Sequence, residues 1–459
     1  VSGLLRGPGG LGWPAIVRLG LVQTSLGAVV VLATSTLNRV MIVEYALPAV
    51  VPGLLVAFHY LVQMVRPRFG HGSDVGGDRS RWIVGGMAAL ALGGVLAAAA
   101  TVVLGGHAVA ALALAVLAYA LIGLGVGAAG TSLLVLMAER VAPARRAAAA
   151  TTMWIMMIFG FALTSGIAGH FLDPFSPARL VTVAAVTGAI AFVVATLAIH
   201  GIERDVPRGA PAPVRAPAAP GDFRRSLAEV WADPTARRFT GFVFVSMLAY
   251  SAQELVVEPF AGLVFGLPPG ATAKLSGLQH GATMLGMIAV ALAGHTRPVR
   301  RAGGLRAFIV GGCAVSAATL LVLALVGPTR SLAALRAGLF VLGASNGAFA
   351  VAAIGSMMEL AGRSRDGRDG TRMGLFGAAQ AVAFAFGGLA GAAAVDVARH
   401  ALGAPAAAYG LVFALEALLF VVAARVAATL DRPTGAAGAA GARAPVRDAP
   451  LVLAQEGRQ

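Results

Sequence analysis

GAAGTSLLVLMAER, residues Gly127–Arg140, and GAFAVAAIGSMMEL, residues Gly347–Leu360, align without a gap. Gly127, Ala128, Met137 and Glu139 of the first stretch meet Gly347, Ala348, Met357 and Glu359 of the second. Each stretch closes a long apolar run with a carboxylate, and the two runs lie in opposite halves of the chain. A helical unit is therefore used twice, and the fold depends on what that unit is.

The surrounding sequence gives the solvent. The chain has 459 residues, 58% hydrophobic and only 12% charged, with a mean hydropathy of +0.83. A soluble chain of this length carries about twice that share of charge. Apolar stretches of about 18 residues or more recur throughout and read as membrane-spanning helices. The alternation of a spanning β-barrel is absent. Twelve spans emerge, at about 17–40, 48–65, 82–104, 108–137, 147–171, 180–200, 239–263, 275–294, 306–327, 333–360, 373–395 and 406–428.

Charge placement sets the orientation. With the N-terminus inside, 29 of the 35 basic residues fall in inside segments and six outside, so both termini are expected in the cytoplasm. The net charge of +15 thus reflects topology rather than nucleic-acid binding. The single cysteine, Cys313, lies in an apolar run and permits neither a disulfide within the chain nor a cysteine metal site. No phosphate-binding loop or nucleophile–base constellation is evident, so no enzymatic chemistry is expected.

The expected organisation is an N-terminal cytoplasmic segment (1–16), a six-helix half (17–200), a cytoplasmic linker (201–238), a second six-helix half (239–428) and a disordered tail (429–459). The linker opens Pro/Ala-rich, and its later part, FRRSLAEVWADPTARRF, suits a short helix on the inner membrane surface. Two parallel repeats of six helices joined by a long inside linker are the layout of the major facilitator superfamily. The fold class is therefore an all-α membrane protein of that fold, with twelve transmembrane helices in two halves.

The loop after span two, GHGSDVGGDR, spaces Gly70, Asp74, Gly77 and Arg79 as in the superfamily's loop motif. By that resemblance, Asp74 would join Arg372 and Glu139 in a cytoplasmic gate, with Glu359 the repeat equivalent of Glu139. The alternative is that these charges only set topology.

Polar groups inside the spans are the candidate site, since ionisable residues at membrane depth face a bundle interior or a water-filled cavity. TLNRVMIVEYALP (Thr36–Pro48) carries Asn38, Arg39 and Glu44, and QELVVEPFA (Gln253–Ala261) carries Gln253, Glu254 and Glu258. Laid together with a one-residue slip, Asn38 meets Gln253 and Glu44 meets Glu258. Arg39 sits about 33 Å along its helix, near the far interface. One reading has it snorkel to headgroups while Asn38 caps a carbonyl; the other pairs it across the halves with Glu254 or Glu258. An Arg39–Glu44 pair is not expected, because positions i and i+5 lie about 140° apart on a helix. His59, His280 and Gln279 lie within spans. A neutral imidazole there either hydrogen-bonds a neighbour or ligates a metal tetrapyrrole.

Several stretches carry a family resemblance: TLNRVMIVEYALPA, AAGTSLLVLMAERVAPARR, MWIMMIFG, QELVVEPFAGLVFGLPPGATAKLSG, NGAFAVAAIGSMMELAG and GTRMGLFGAAQAVAFAFGGLAG. Over about Leu21–Phe420 the chain resembles the bacteriochlorophyll delivery family of the major facilitator superfamily, the PucC/LhaA-type light-harvesting assembly proteins. The resemblance implies a bacterial inner or intracytoplasmic membrane protein that helps assemble antenna complexes. It also implies transient binding of bacteriochlorophyll or chlorophyll and contact with antenna polypeptides and pigment-synthesis enzymes. Family positions carry over as Asn38, Arg39, Glu44, Glu258, Pro259, Gly370, Thr371, Arg372 and Met373. In a pigment pocket, Asn38 or Arg39 would donate to a ring carbonyl, and His59, His280 or Gln279 would approach the metal. Two other functions stay open: a proton-coupled carrier of a small lipophilic solute using Glu254 and Glu258, and a pigment-free scaffold for antenna helices.

Overall fold

The computed structural model describes residues 6–7, 10–65, 78–205, 228, 231–293, 296, 304–362 and 369–429. The described chain is almost entirely helical. A two-residue-per-strand hairpin, β1 (Arg6–Gly7) and β2 (Gly10–Leu11), precedes the first long helix.

That helix, α1, runs Trp13–Val43 and starts where Pro14 suits a first turn. It is α-helical to Val31, π-helical over Leu32–Thr36, and α-helical again to Val43. The second, α2, covers Val50–Val62 and ends in a tight turn, Gln63–Val65. The first half continues with α3 (Arg79–Val103), α4 (Ala108–Arg140), α5 (Pro143–Phe171) and α6 (Pro177–Ile199). After a single turn at Ile202–Asp205 come α7 (Pro234–Phe265), α8 (Pro269–Ala293), α9 (Leu305–Thr329), α10 (Leu332–Gly362), α11 (Asp369–Leu402) and α12 (Pro405–Ala427).

Eleven of these helices are long and apolar enough to cross a membrane. The exception is α2, whose apolar helix runs only Val50–Val65, against the span of 48–65 expected from sequence. Its first turn starts later because Leu47 and Pro48 belong to the turn that leaves α1. The proposed surface helix is also corrected in part. Asp233 accepts a hydrogen bond from the Thr235 N–H at 2.9 Å and caps α7, so TARRF is the start of a spanning helix. Residues 206–227, the Pro/Ala-rich linker, and 430–459, nearly all of the expected tail, lie outside the described residues.

The two halves use the same pairings. In the first, α1 packs on α5 and α6, α3 on α4 and α6, and α2 on α4. In the second, α7 packs on α11 and α12, α9 on α10 and α12, and α8 on α10. Each half builds most of one apolar core, with Leu255 of α7 joining the first and Ile158 of α5 the second. The halves meet along a seam where α1 lies on α7, α2 on α11 and α5 on α8.

Glycine allows the close crossings that membrane helices favour. A Cβ at Gly123 would stand 2.6 Å from the His59 carbonyl on α2, and one at Gly387 would stand 2.5 Å from the Leu248 carbonyl on α7. The outer surface shows large apolar side chains such as Leu117, Ile190, Leu197, Leu292, Leu325 and Leu418. That is the surface a bilayer requires.

Candidate functional site at the seam between the halves

The site begins with the break in α1. A π-helical turn inserts an extra residue, and such turns recur at functional positions. Here it aims Ser35 into the seam. The Ser35 hydroxyl donates to Glu258 Oε1 at 2.5 Å and lies 3.2 Å from the Ser276 hydroxyl on α8. The Thr272 hydroxyl donates to Glu258 Oε2 at 3.5 Å. Glu258 is buried, so these hydroxyls replace water around it. One turn further along α1, the Asn38 amide donates across the seam to the Leu255 carbonyl at 2.9 Å.

These two contacts are one contact made twice. Residue numbers 38 and 258 differ by 220, as do 35 and 255. Asn38 bonds Leu255, and Glu258 bonds Ser35. The same offset relates Gly127–Arg140 to Gly347–Leu360 and continues into the next turn. Ala46 and Gly266 both adopt the left-handed conformation, with φ of 52° and 68°, and each precedes Leu-Pro. The Leu47 N–H donates to the Met41 carbonyl, and the Leu267 N–H to that of Ala261. The sequence match of Asn38 with Gln253 and Glu44 with Glu258 is thereby corrected: Asn38 is the counterpart of Glu258. The Val-Glu pair present in both spans draws the pattern into the wrong register.

Arg39 departs from expectation in three ways. It is buried, with about 1% of its surface exposed, and does not snorkel. Its Nη1 pairs with Glu44 Oε1 at 2.5 Å, the pair that helix geometry argued against. The 140° separation applies to an uninterrupted helix, but α1 ends at Val43, and the next residues turn away through a wide Tyr45 N–H to Val40 carbonyl bond. Glu44, at the helix end, swings back over the guanidinium. The third departure concerns the partner across the seam. Arg39 Nη2 donates 2.7 Å to the Leu267 carbonyl at the end of the α7 segment, and its ion pair is with Glu44 rather than Glu254 or Glu258. Gly262 makes room for the guanidinium: a Cβ there would stand 3.1 Å from Arg39 Nε.

Behind Glu258 lies a small cavity between the halves. Thr34 and Ser35 of α1, Phe161 of α5, Glu254 and Glu258 of α7, and Ser276, Gln279 and His280 of α8 line it. The structure thus brings together Glu254, Glu258, Gln279 and His280 of the expected pocket, with Asn38, Arg39 and Glu44 beside them toward one end. The edge of the Phe161 ring packs against the His280 imidazole at 5.1 Å, and His280 Nδ1 has no hydrogen-bond partner. Glu254 lies beside the Tyr250 phenol, one turn earlier on α7. Gln253 is fully buried with neither amide atom bonded, and it does not line the cavity. His59 stands apart as well. It is buried on α2, its Nδ1 is 2.6 Å from the Val56 carbonyl, and its own backbone meets Gly123 of α4. Ser35, Thr272 and Ser276, which complete the shell around Glu258, do not stand out in the sequence, because hydroxyls are common in spanning helices. The run LATST, where the π turn falls, is the available signal.

At the opposite end of the bundle, Arg79 forms a two-pronged pair with Glu139, Nη2 to Oε1 at 2.6 Å and Nε to Oε2 at 3.0 Å. The pair joins α3 to α4 within the first half. Glu203 caps α3 through the N–H groups of Arg79 and Ser80, a role the sequence does not suggest. Gly70, Asp74 and Gly77 lie outside the described residues, as do the side chains of Glu359 and Arg372.

Among the described residues no three His, Cys, Asp or Glu side chains are placed to hold a metal ion. The seam cavity has room for about one water. A tetrapyrrole macrocycle does not fit there in this conformation. The cavity is shaped for a proton, a water or a similarly small polar species.

Two six-helix halves meeting along a seam, with a buried carboxylate where α1 and α7 cross, define a membrane protein of the major facilitator fold. Solved structures agree. A bacterial homologue of the human lysosomal transporter Spinster, inward-facing and occupied, superposes with a TM-score of 0.65 at 16% identity, covering 90% of this chain and 96% of that one. The nucleoside transporter NupG gives 0.65 at 12% identity, covering 91% and 100%. Identities this low speak to the fold alone. The family comes from sequence: the PUCC protein family matches residues 36–435. The "Bacteriochlorophyll synthase 44.5 kDa chain" of Rhodobacter capsulatus is 52% identical over 427 residues, 93% of this chain and 97% of that one. "Protein PucC" of Rhodobacter capsulatus is 28% identical over 442 residues, covering 92% and 93%. The chain belongs to the PUCC protein family.

Proposed function

We propose that this protein is a membrane assembly factor for photosynthetic light-harvesting complexes that binds or hands over (bacterio)chlorophyll to antenna polypeptides. The observation that carries the reading is the match to the PUCC protein family over residues 36–435, and the 52% identity to a relative named for bacteriochlorophyll supports its pigment part. The fold is in keeping with a carrier or chaperone role: its polar groups line a seam between two helical bundles. The seam cavity takes a water rather than a macrocycle, so the pigment part of the reading rests on the relatives and not on that cavity. In this reading both termini face the cytoplasm of a bacterial inner or intracytoplasmic membrane, in keeping with the arginine distribution. The end bearing Arg79 and Glu139 is then cytoplasmic. Antenna polypeptides are the partners, together with enzymes that supply the pigment.

The test is a deletion in the native phototroph. Loss of the antenna absorption band, with pigment synthesis intact and the band restored by the wild-type chain, supports the reading. An unchanged antenna level overturns it.

One observation favours a second reading. Glu254 and Glu258 share a cavity between the halves with three hydroxyl groups and an unpaired imidazole nitrogen, as a proton-coupled carrier requires. Uptake of a lipophilic solute that depends on the proton gradient and is lost in Glu254→Gln would select it.

A further inference from the structure

An open cleft of about 440 Å3 lies at the end of the bundle where Arg39 sits, and it shares no lining residue with the seam cavity. Leu47 and Pro48, in the turn between α1 and α2, form one wall. Asp396, Arg399 and His400, in the last two turns of α11, and Pro405, the first residue of α12, form the other. A volume of this size suits a small molecule or a lipid head group.

The charges around the cleft are unequally used. Asp396 has both oxygens committed: Oδ1 accepts the Ala49 N–H at 2.9 Å and Oδ2 the Val50 N–H at 2.8 Å. Its negative charge is thus spent on the positive end of α2. Glu44 is paired with Arg39. Arg399 has no such partner: among the described residues its guanidinium makes neither a hydrogen bond nor an ion pair. Cations in a last turn suit the free carbonyls of their helix, but neither Arg399 nor His400 donates a side-chain hydrogen bond to one. The cleft therefore carries surplus positive charge.

Two further features point the same way. No side chain caps the start of α12, so its first-turn N–H groups are open to an acceptor beside Pro405. The Tyr409 phenol, one turn further along α12, is buried within range of the Asp396 and Arg399 charges, and its hydroxyl has no hydrogen-bond partner. The level is that of lipid head groups. Arg399 falls at the end of the apolar span Ala378–Leu402, and the exposed side chains of Val397 and Leu402 flank it.

We propose that this cleft is a phosphate-binding site, and that its occupant is the head group of an anionic phospholipid. Arg399 holds two phosphate oxygens in its planar fork, and His400 and the start of α12 donate to the others. Leu47 and Pro48 cover the glycerol end. Depth favours a lipid over a free ion, because acyl chains deliver the phosphate to that level. The proposal is independent of the cargo and of the assembly reading.

The test is native mass spectrometry of the delipidated full chain in detergent, with added phosphatidylglycerol or with diacylglycerol of the same chains. One phosphatidylglycerol is expected to stay bound, at least tenfold more tightly than diacylglycerol. Arg399→Gln is expected to weaken it about tenfold and His400→Gln about threefold. Arg336→Gln removes an exposed arginine from the first turns of α10, at the same end of the bundle, and is expected to leave binding unchanged. Equal retention of the two lipids, or equal losses in Arg399→Gln and Arg336→Gln, overturns the proposal. Inorganic phosphate is the second probe. If it raises the melting temperature of the parent but not of Arg399→Gln, and phosphatidylglycerol binds no better than diacylglycerol, the site is an anion site whose occupant is free phosphate. Should Arg399→Gln fail to fold, Arg399→Lys keeps the charge without the fork and is expected to weaken binding by a smaller factor. Parent-like binding in both Arg399→Lys and His400→Gln also overturns the proposal.

Discussion

Asn38 and Glu258 hold the same position in the two halves, and each bonds across the seam to the counterpart of the other's partner. The crossing of α1 and α7 is thus a near-symmetric joint with unlike polar groups on its two sides. On one side an amide bonds a helix carbonyl. On the other a carboxylate is held by hydroxyls from α1 and α8. The asymmetry places the acidic group of this joint beside the cavity.

The Glu258 side is the more sensitive. Ser35→Ala removes the 2.5 Å donor and leaves a buried carboxylate with only the α8 hydroxyls of Thr272 and Ser276. The expected loss is about 1–3 kcal/mol. Asn38→Ala removes a donor from a carbonyl within a helix, at a cost of about 1 kcal/mol. Thermal unfolding in a fixed detergent is expected to rank Ser35→Ala below Asn38→Ala.

The Arg39–Glu44 pair is unequal, with side-chain exposures of 2% and 34%. Removing Glu44 strands a buried guanidinium, whereas removing Arg39 leaves a carboxylate that water can reach. Glu44→Ala is therefore expected to destabilise more than Arg39→Met, by about 3 kcal/mol against about 1 kcal/mol. Equal losses would show that Glu44 does not supply the charge Arg39 needs.

Ala46 occupies a left-handed position that its repeat counterpart fills with glycine. Ala46→Gly relieves a Cβ clash and is expected to raise stability by about 0.5–1 kcal/mol, in spite of glycine's greater freedom when unfolded. Gly266→Ala is expected to lower it by a similar amount. Paired melting curves of the two variants check both signs.

Gly262 holds open the space for the guanidinium. Gly262→Ala is expected to lower the melting temperature in the parent chain and to have less effect in an Arg39→Ala background, where the displaced group is gone. Equal effects in both backgrounds would show that the methyl clashes with Val43 instead.

Much of this architecture is legible in the amino-acid sequence. Apolar runs mark the spans, and the Gly127 and Gly347 stretches mark the repeat, because bilayer burial writes itself into composition. The short α2 is less legible, since Leu47 and Pro48 are apolar yet belong to a turn. Glu254, Glu258, Gln279 and His280 stand out as polar residues in spanning helices, and they line one cavity. His59 stands out by the same rule but lies against α4, because depth in a membrane does not say which neighbour a side chain meets. The Arg39–Glu44 pair escapes the ideal-helix rule because that rule does not hold across a helix end. Asp396, which accepts the Ala49 and Val50 N–H groups at the start of α2, and Asp173, which accepts that of Gly270 in α8, are inconspicuous because backbone partners leave no mark in the sequence of the partner helix.

The most direct measurement is the absorption spectrum of the full chain purified from native phototrophic membranes in mild detergent, with antenna polypeptides and free pigment removed and quantified. A red (bacterio)chlorophyll band in near-stoichiometric amount is expected to stay with the protein through gel filtration. A colourless protein, with or without antenna polypeptides attached, would contradict direct pigment handling.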